Sequence, residues 1–281
     1  MVNQRGQKGP LVSIITVTLN RGKFLEKAIQ SVMGQDYDNL EHIVVDGGSF
    51  DNTVEILKKY EGKYNLRWIS EKDKNQTEAW NKGLKMARGE IIGYCHSDDY
   101  YLPGAIKKIV EAFLENPDVD LVFGKTQEFN FQTKRYETIF QTTQEAISSI
   151  TVEDLLYGKK TFFQQSLFYR RRIIDKVGPL NPDIEFVMDV DWWVRMLQKG
   201  AKALYLDTLL AIVGHHPERG CVKEAARATK AGIDLIRAYG YPVPFRMKIS
   251  YLRWKYPQIP NFFKKYLPPL FSTISRILKK A

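Results

Sequence analysis

The chain has 281 residues, 44% of them hydrophobic, which is enough for one large domain with a full apolar core and additional segments. Its formal net charge is +10, and its two cysteines, Cys95 and Cys221, exclude a disulfide framework. Residues 1–10 are polar and no apolar run approaches the roughly 20 residues of a membrane span. The sequence therefore predicts neither a signal peptide nor a transmembrane helix.

Strands and helices are predicted to alternate through the first half of the chain. The β-branched residues of 12–19 indicate a strand, and apolar residues at helical spacing indicate a helix over 21–33. Further strands are predicted at 42–45, 66–69, 91–95 and 120–124, and the intervening helices begin near residues 51–53, 77 and 103. This alternation predicts right-handed βαβ units and a parallel sheet, which is an α/β fold.

Acidic residues follow three successive predicted strands. Asp46 ends the second strand, Asp73 follows the third, and Asp98 and Asp99 follow the strand at 91–95. Because the carboxyl ends of parallel strands share one edge of a sheet, we expect these carboxylates to converge on one cleft. Adjacent carboxylates repel unless a cation lies between them, so the pattern favours Mg²⁺ or Mn²⁺ with substrate phosphates. A solvated loop, or a turn before two glycines at Asp46, explains each acid taken alone.

A set of short motifs runs through residues 11–216, about three quarters of the chain. The motifs are Val12–Thr16 with Asn20, Ser31–Val32 with Gln35, Val44–Ser49, Asp51, Thr53, Ser70–Asp73, Asn81–Gly83, Gly89–Gly93, Ser97–Asp99 with Pro103, Asp189–Trp192 and Arg195. In this combination the chain resembles glycosyltransferases of family 2. The resemblance implies the GT-A nucleotide-sugar fold, a mostly parallel sheet flanked by helices, over residues 1–234. Its donor half is expected at about 11–124 and its acceptor half at about 125–234.

The resemblance implies a nucleotide-sugar site at the predicted cleft. Asp46 matches the carboxylate that hydrogen-bonds the nucleotide base of a UDP-, dTDP- or GDP-linked sugar, since a carboxylate accepts N–H donors. Further residues at donor-site positions are Thr18, Leu19, Asp73, Lys82 and Asp99.

The resemblance also implies a divalent metal, Mn²⁺ or Mg²⁺, against the diphosphate. Asp98 matches the last residue of the family's Asp-x-Asp motif, and a metal there stabilises charge on the leaving nucleoside diphosphate. His96 replaces the first Asp of that motif, and imidazole suits Mn²⁺ better than Mg²⁺. A solvated position outside the metal's ligands is the alternative for His96. His216 matches a histidine that approaches the metal or diphosphate in relatives, and a structural role is its alternative.

Asp189 and Asp191 precede a predicted amphipathic helix at 194–197. By resemblance Asp189 matches the general base of inverting transfer, which takes the proton of the acceptor hydroxyl, and Asp191 is the second candidate. Met188 stands where the family has an acidic residue. The alternative is that both acids cap a helix beginning at Trp192 and interact with its dipole.

Residues 235–281 form a basic, aromatic tail with ten Lys or Arg, no Asp or Glu and ten aromatic residues. The chain totals are 42 basic and 32 acidic residues, so residues 1–234 carry 32 of each and the net charge belongs to the tail. Basic and aromatic helical pieces favour a membrane-interfacial anchor on an anionic surface. A helical cap folded on the core and a nucleic-acid-binding tail are the alternatives, and we expect no nucleic acid as partner.

These features predict an inverting, metal-dependent glycosyltransferase that is cytoplasmic and peripheral at the inner face of the cell membrane. Its acceptor is expected to be a glycan or a lipid-linked precursor in polysaccharide biosynthesis. Two other functions remain compatible with the sequence. A non-catalytic nucleotide-sugar or glycan binding module would keep Asp46 and lose the base. A sugar-phosphate nucleotidylyltransferase needs a glycine-rich basic loop after the first strand, where residues 19–23 contain one glycine.

Overall fold

The computed structural model describes residues 9–219 and 224–255. Strands and helices alternate through the first part, as the sequence predicts. In chain order they are β1 (Val12–Thr18), α1 (Gly22–Met33), β2 (Leu40–Asp46), α2 (Thr53–Tyr60), β3 (Leu66–Ser70), α3 (Gln76–Met86), β4 (Ile91–Tyr94), β5 (Tyr100–Tyr101) and α4 (Ala105–Glu115).

The second part contains two long strands, the first of which overlaps the strand predicted at 120–124, together with several shorter elements. They are β6 (Leu121–Asn130), β7 (Arg135–Phe140), α5 (Gln144–Ser148), α6 (Val152–Tyr157), a 3₁₀ turn (Gln164–Ser166), β8 (Phe168–Arg170), α7 (Arg171–Val177), α8 (Met188–Gln198), β9 (Ala203–His215), α9 (Ala225–Ala238) and α10 (Phe245–Lys255). The helix predicted at 194–197 lies within α8.

The described strands form one sheet in the order β3-β2-β1-β4-β8-β6-β9-β5, with β7 paired to β6. The first four are parallel, which confirms the predicted parallel sheet for this part and brings their carboxyl ends to one edge. Strand β8 is antiparallel to both β4 and β6, so the second part is mixed. Strand β6 crosses the predicted donor–acceptor boundary, and its register against β9 shifts there, between Gly124 and Lys125.

Helices α1 and α4 are amphipathic and each buries one face. On α1 the buried apolar residues are those predicted from the spacing: Phe24, Leu25, Ala28, Ile29 and Val32. On α4, Ile106, Ile109, Val110 and Phe113 are at most 1% exposed. Each fully buried side chain of this size contributes about 1.5–3 kcal/mol, so these faces fix the helices to the sheet.

At the amino ends of the parallel strands, a buried carboxylate links neighbouring strands through hydrogen bonds. Glu41 on β2 accepts hydrogen bonds from the Ser13 hydroxyl (2.6 Å), the main-chain N–H of Arg88 (2.7 Å) and the Arg67 guanidinium (2.7 Å). Burial alone would raise the pKa of Glu41, but these bonds outweigh it and hold the pKa below its usual range. Glu41 thereby links β1, β2 and β3 with the connection into β4, at the end of the strands away from their carboxyl edge.

The chain forms two compact units. The first ends at His216 and excludes Ile184–Val187, which belongs with the second unit from Pro217 onward. Within the second unit α9 packs on α10, and the terminal methyl of Met247 lies 3.5 Å from where a Cβ on Gly232 would be. The predicted boundary between 234 and 235 falls inside α9, and residues 256–281 of the predicted tail lie outside the described residues. No helix in the described part of the chain has both the length and the hydropathy that crossing a bilayer requires.

A histidine lies in the core of the parallel half. His42 on β2 is fully buried, and its ring nitrogens contact the Thr16 hydroxyl (2.9 Å) and the Tyr64 hydroxyl (2.6 Å). Burial disfavours the imidazolium and lowers the pKa of His42 to about 3. The ring is therefore neutral in the folded protein at every pH above about 3.

We expect His42 to make folding stability pH-dependent. Between pH 6.5 and 3 the unfolded chain binds a proton on His42 that the folded chain does not, so stability rises with pH and is lost on acidification. The slope from this residue approaches about 1.4 kcal/mol per pH unit below pH 6. Denaturant unfolding at pH 7, 6 and 5 should show a steeper loss in the unmodified protein than in His42→Gln. His215→Gln, at a histidine whose side chain is 37% exposed, is the control and should retain the slope. An unchanged slope in His42→Gln would contradict this assignment.

Candidate active site

The carboxyl edge of the parallel strands gathers the acidic residues that the sequence places at strand ends. Asp46, the last residue of β2, is fully buried. Its carboxylate accepts hydrogen bonds from the Ser49 hydroxyl and main-chain N–H (3.0 Å) and from the Ser70 hydroxyl (2.6 Å). These two serines had no predicted role. Their hydrogen bonds hold the Asp46 carboxylate in a fixed orientation at the carboxyl end of β2.

The loop after β1 lies beside Asp46. The Thr18 hydroxyl is buried and has no hydrogen-bond partner among the described residues, and Leu19 is 54% exposed. Asn20 has a positive φ of 53°, and its amide oxygen accepts the main-chain N–H of Phe50 (2.9 Å). That bond ties the loop after β1 to the loop after β2, so Thr18 and Leu19 are presented at the edge.

Glycine at position 47 permits a close approach of three segments. A Cβ there would lie 3.4 Å from both the Leu19 side chain and the Asp73 carboxylate. Asp73, 7% exposed, is paired with Lys82 (2.6 Å), which also pairs with Glu71 (2.7 Å). The hydrogen bonds to Asp73 and Glu71 raise the pKa of Lys82, so it remains a cation at any physiological pH. The structure thus brings together four predicted donor-site residues: Leu19, Asp46, Asp73 and Lys82.

Asp98 and His216 meet although they lie 118 residues apart. His216 Nε2 is 2.8 Å from Asp98 Oδ2, and the imidazole stacks on Phe24 with ring centroids 4.4 Å apart. His216 is 3% exposed, and its Nδ1 has no hydrogen-bond partner among the described residues. Asp99 turns away to accept the main-chain N–H of Gly214 (2.8 Å), which fastens the acidic turn to the end of β9.

His96 takes a different position from the other two predicted metal ligands. Its ring packs edge-on against Trp80, with centroids 5.0 Å apart. Within the described residues, no group of three or more His, Cys, Asp or Glu side chains is spaced to hold a metal ion. The structure therefore pairs Asp98 with His216 and does not assemble the predicted set of His96, Asp98 and His216 into one such group.

The two candidate bases lie on α8, which begins at Met188 rather than at Trp192. Both acids therefore occupy its first turn, where negative charge interacts favourably with the helix dipole, instead of preceding a helix that begins at Trp192. Asp189 is half-buried, and one of its oxygens accepts the main-chain N–H of Val190 (2.8 Å). Burial raises the pKa of Asp189 to about 6.

Asp191 forms an ion pair with Arg195. It is 5% exposed and accepts the Nε of Arg195 (2.9 Å), one turn further along α8. The same guanidinium donates to the carbonyl oxygens of Val177 (2.8 Å) and Pro179 (2.9 Å). Asp191 thus orients Arg195, and Arg195 holds the chain between α7 and α8.

The model of Glycosyl transferase family 2 matches residues 13–178, more than half of the chain. The chain belongs to this family. It is 27% identical, over 81% of its length and 88% of the relative's, to a PGL/p-HBAD biosynthesis glycosyltransferase of Mycobacterium bovis strain BCG. It spans 63% and 54% of the length of two other relatives.

Solved structures show the same fold. Staphylococcus aureus TarS 1-349 in complex with UDP-GlcNAc superposes with a TM-score of 0.64, covering 91% of this chain and 76% of TarS at 19% identity. The mannosyltransferase PcManGT of Pyrobaculum calidifontis, in complex with GDP-Man and Mn²⁺, gives a TM-score of 0.61 over 96% of this chain and 80% of PcManGT, also at 19% identity. These similarities confirm the predicted GT-A fold.

Proposed function

We propose that this family 2 member is an inverting glycosyltransferase in which Asp189 is the general base. The observation that carries the proposal is the contrast between the surroundings of the acids that the sequence assigns to the site. Asp46, Asp73, Asp98 and Asp191 are each held by a hydroxyl, a histidine or a cation. Asp189 is held by a main-chain N–H, and burial raises its pKa to about 6, close to the pH at which a base is most effective.

The donor in this proposal is a sugar linked to a nucleoside diphosphate, UDP, dTDP or GDP. Support comes from the TarS complex with UDP-GlcNAc and the PcManGT complex with GDP-Man. Asp46 would accept N–H groups of the base, with Thr18 and Leu19 flanking it. Asp73 and Lys82 would lie near the nucleoside and phosphates, where the cationic Lys82 can offset phosphate charge.

Asp98 and His216 fit a Mn²⁺ or Mg²⁺ ion whose remaining ligands would be oxygens of the nucleotide-sugar diphosphate. Such ions are commonly held by one or two protein groups together with substrate phosphates. Asp98 offers carboxylate oxygens and His216 a buried imidazole, and that mixture favours Mn²⁺. The ion would be held by Asp98 and His216 and would supply positive charge against the leaving diphosphate.

In the transfer itself, Asp189 takes the proton of the acceptor hydroxyl. The hydroxyl oxygen forms a bond to the anomeric carbon as the bond from that carbon to the diphosphate oxygen breaks. The nucleoside diphosphate leaves with the bonding electrons, and attack from the opposite face inverts the configuration. One carboxylate suffices for this step, as for the base of an inverting glycosidase. Asp191 is given no part in this step, because its carboxylate is held in an ion pair with Arg195.

We further propose that the second unit and the tail attach the protein to an anionic membrane surface at which a glycan or lipid-linked acceptor is presented. Helix α10 carries four basic residues and no acid. A cleft of about 250 Å³ between α9 and α10 is lined by Lys230, Arg237 and Lys248 with one acid, Asp234. Residues 256–281 add five basic residues and no acid. Each basic residue near an anionic surface contributes about 1 kcal/mol.

Asp189→Asn tests the base. The amide cannot take a proton, so turnover should fall by roughly 10²–10⁴-fold, the usual worth of a general base. In the unmodified protein, turnover should fall as the pH drops through about 6, because protonation removes the base. The assay measures release of nucleoside diphosphate from UDP-, dTDP- and GDP-sugars with membrane extract as acceptor. Near-normal turnover in Asp189→Asn, or a comparable loss confined to Asp191→Asn, would reject the assignment.

His216→Ala tests the metal site, and the same change at the adjacent His215 is the comparison. Calorimetric titration with UDP and GDP should show tighter binding with Mn²⁺ than without it. His216→Ala should lose most of that gain and leave metal-free binding unchanged. His215→Ala is the matched control, because His215 contacts Glu128 (2.8 Å) and not Asp98. Equal affinity with and without Mn²⁺ in the unmodified protein would refute the site.

Deleting residues 256–281 tests the membrane attachment while keeping every described element. The full chain should sediment with phosphatidylglycerol vesicles and not with phosphatidylcholine vesicles, and salt should weaken the binding through screening. The shortened chain should lose at least half of its binding with an unchanged melting temperature. A lowered melting temperature would favour the cap interpretation, and unchanged sedimentation would contradict attachment through these residues.

A further inference from the structure

Helix α3 makes two contacts from adjacent residues to two different parts of the candidate site. Lys82 pairs with Asp73 (2.6 Å) and Glu71 (2.7 Å), which follow β3. Asn81 binds Leu180 twice: its amide nitrogen donates to the Leu180 carbonyl (2.9 Å), and its amide oxygen accepts the Leu180 N–H (3.0 Å). One turn of helix therefore touches the donor-side carboxylates and the chain between α7 and α8.

The segment 178–183, which we call the α7–α8 strap, is also held from the side of α8. Trp192 Nε1 donates to the carbonyl of Gly178 (2.9 Å), and Arg195 donates to the carbonyl of Pro179 (2.9 Å). Both residues lie on the helix that carries Asp189 in its first turn. The strap is thus fastened to α3 through Leu180 and to α8 through Gly178 and Pro179.

The two hydrogen bonds between Asn81 and Leu180 fix the orientation of the Leu180 backbone as well as its distance from α3. A side-chain amide that donates to and accepts from one residue's backbone sets that residue's orientation as well as its position. Leu180 is 4% exposed, so loss of Asn81 would leave its N–H and C=O in a largely dry environment with fewer partners. The strap would then be expected to shift, and α8 with it.

We propose that Asn81 is a positioning residue for glycosyl transfer: through the α7–α8 strap it sets the placement of Asp189 relative to the donor-side carboxylates that Lys82 holds. The inference rests on the proposed function of Asp189. A displacement of about 1 Å in a reacting group can cost on the order of 10²-fold in rate. Asn81 therefore controls turnover without touching donor or acceptor.

A double-mutant cycle between Asn81→Ala and Asp189→Asn tests this. Asn81→Ala alone should lower kcat by roughly 10–100-fold, because the base is misplaced, while affinity for UDP and GDP stays within about twofold. In the Asp189→Asn background the same change should cost little more, because no base remains to be misplaced. The pH limb of turnover should also move in Asn81→Ala, since the surroundings of Asp189 change.

Asn65→Ala is the matched control. Asn65 likewise donates from its amide to a main-chain carbonyl, that of Leu40 (3.1 Å), at the opposite edge of the sheet. Because this bond is exposed, Asn65→Ala should lose no more stability than Asn81→Ala and should keep both kcat and the pH limb. Equal loss of kcat in the control, additive losses in the double mutant, or a fall in nucleotide affinity that matches the fall in kcat would each overturn the inference. Full turnover in Asp189→Asn would instead remove the proposed function on which it rests.

Discussion

Electrostatic repulsion among carboxylates is the constraint that shapes this site. The parallel strands β3-β2-β1-β4 deliver acids to one edge, and like charges gathered there repel one another unless each has a compensating partner. The fold supplies each acid with its own partner. Serine hydroxyls donate to Asp46, Lys82 forms an ion pair with Asp73, and His216 contacts Asp98 through Nε2. Most of these partners come from other strands or helices, so folding and assembly of the site are the same event.

Asp189 differs from these acids in its surroundings. Among the described residues no lysine, arginine or histidine pairs with it, and its carboxylate is held by main-chain N–H. The neighbouring acid Asp191 has the opposite environment, because Arg195 neutralises it. Two carboxylates two residues apart on one helix therefore differ in their surroundings: Asp191 is paired with a guanidinium, whereas Asp189 accepts a main-chain N–H. In the proposed mechanism this difference assigns the role of base to Asp189 and not to Asp191.

Helix α3 relates these two groups of acids. It contacts Asp73 through Lys82 and the α7–α8 strap through Asn81, and its own N-terminus is capped by Asn75, which accepts the N–H of Glu78 (3.0 Å). Asn75 also donates to the carbonyl of Pro182 (3.0 Å), so the strap is held at a second point. In the proposed mechanism, one helix that contacts both regions would help to keep their separation constant, as transfer between two bound substrates requires.

The amino-acid sequence by itself determined the parallel half of the sheet, the buried face of α1 and the positions of Asp46, Asp73 and Asp98 at strand ends. These follow from periods of two and 3.6 residues and from β-branched runs, which are local properties of the chain. The short strands β7 and β8 and the start of α8 were not predicted, because their place depends on distant partners. Strand β8, three residues long, exists as a strand between β4 and β6. The tertiary structure likewise decided that His216 meets Asp98 and that Asn81 holds Leu180, because contacts across about a hundred residues leave no periodic trace in sequence.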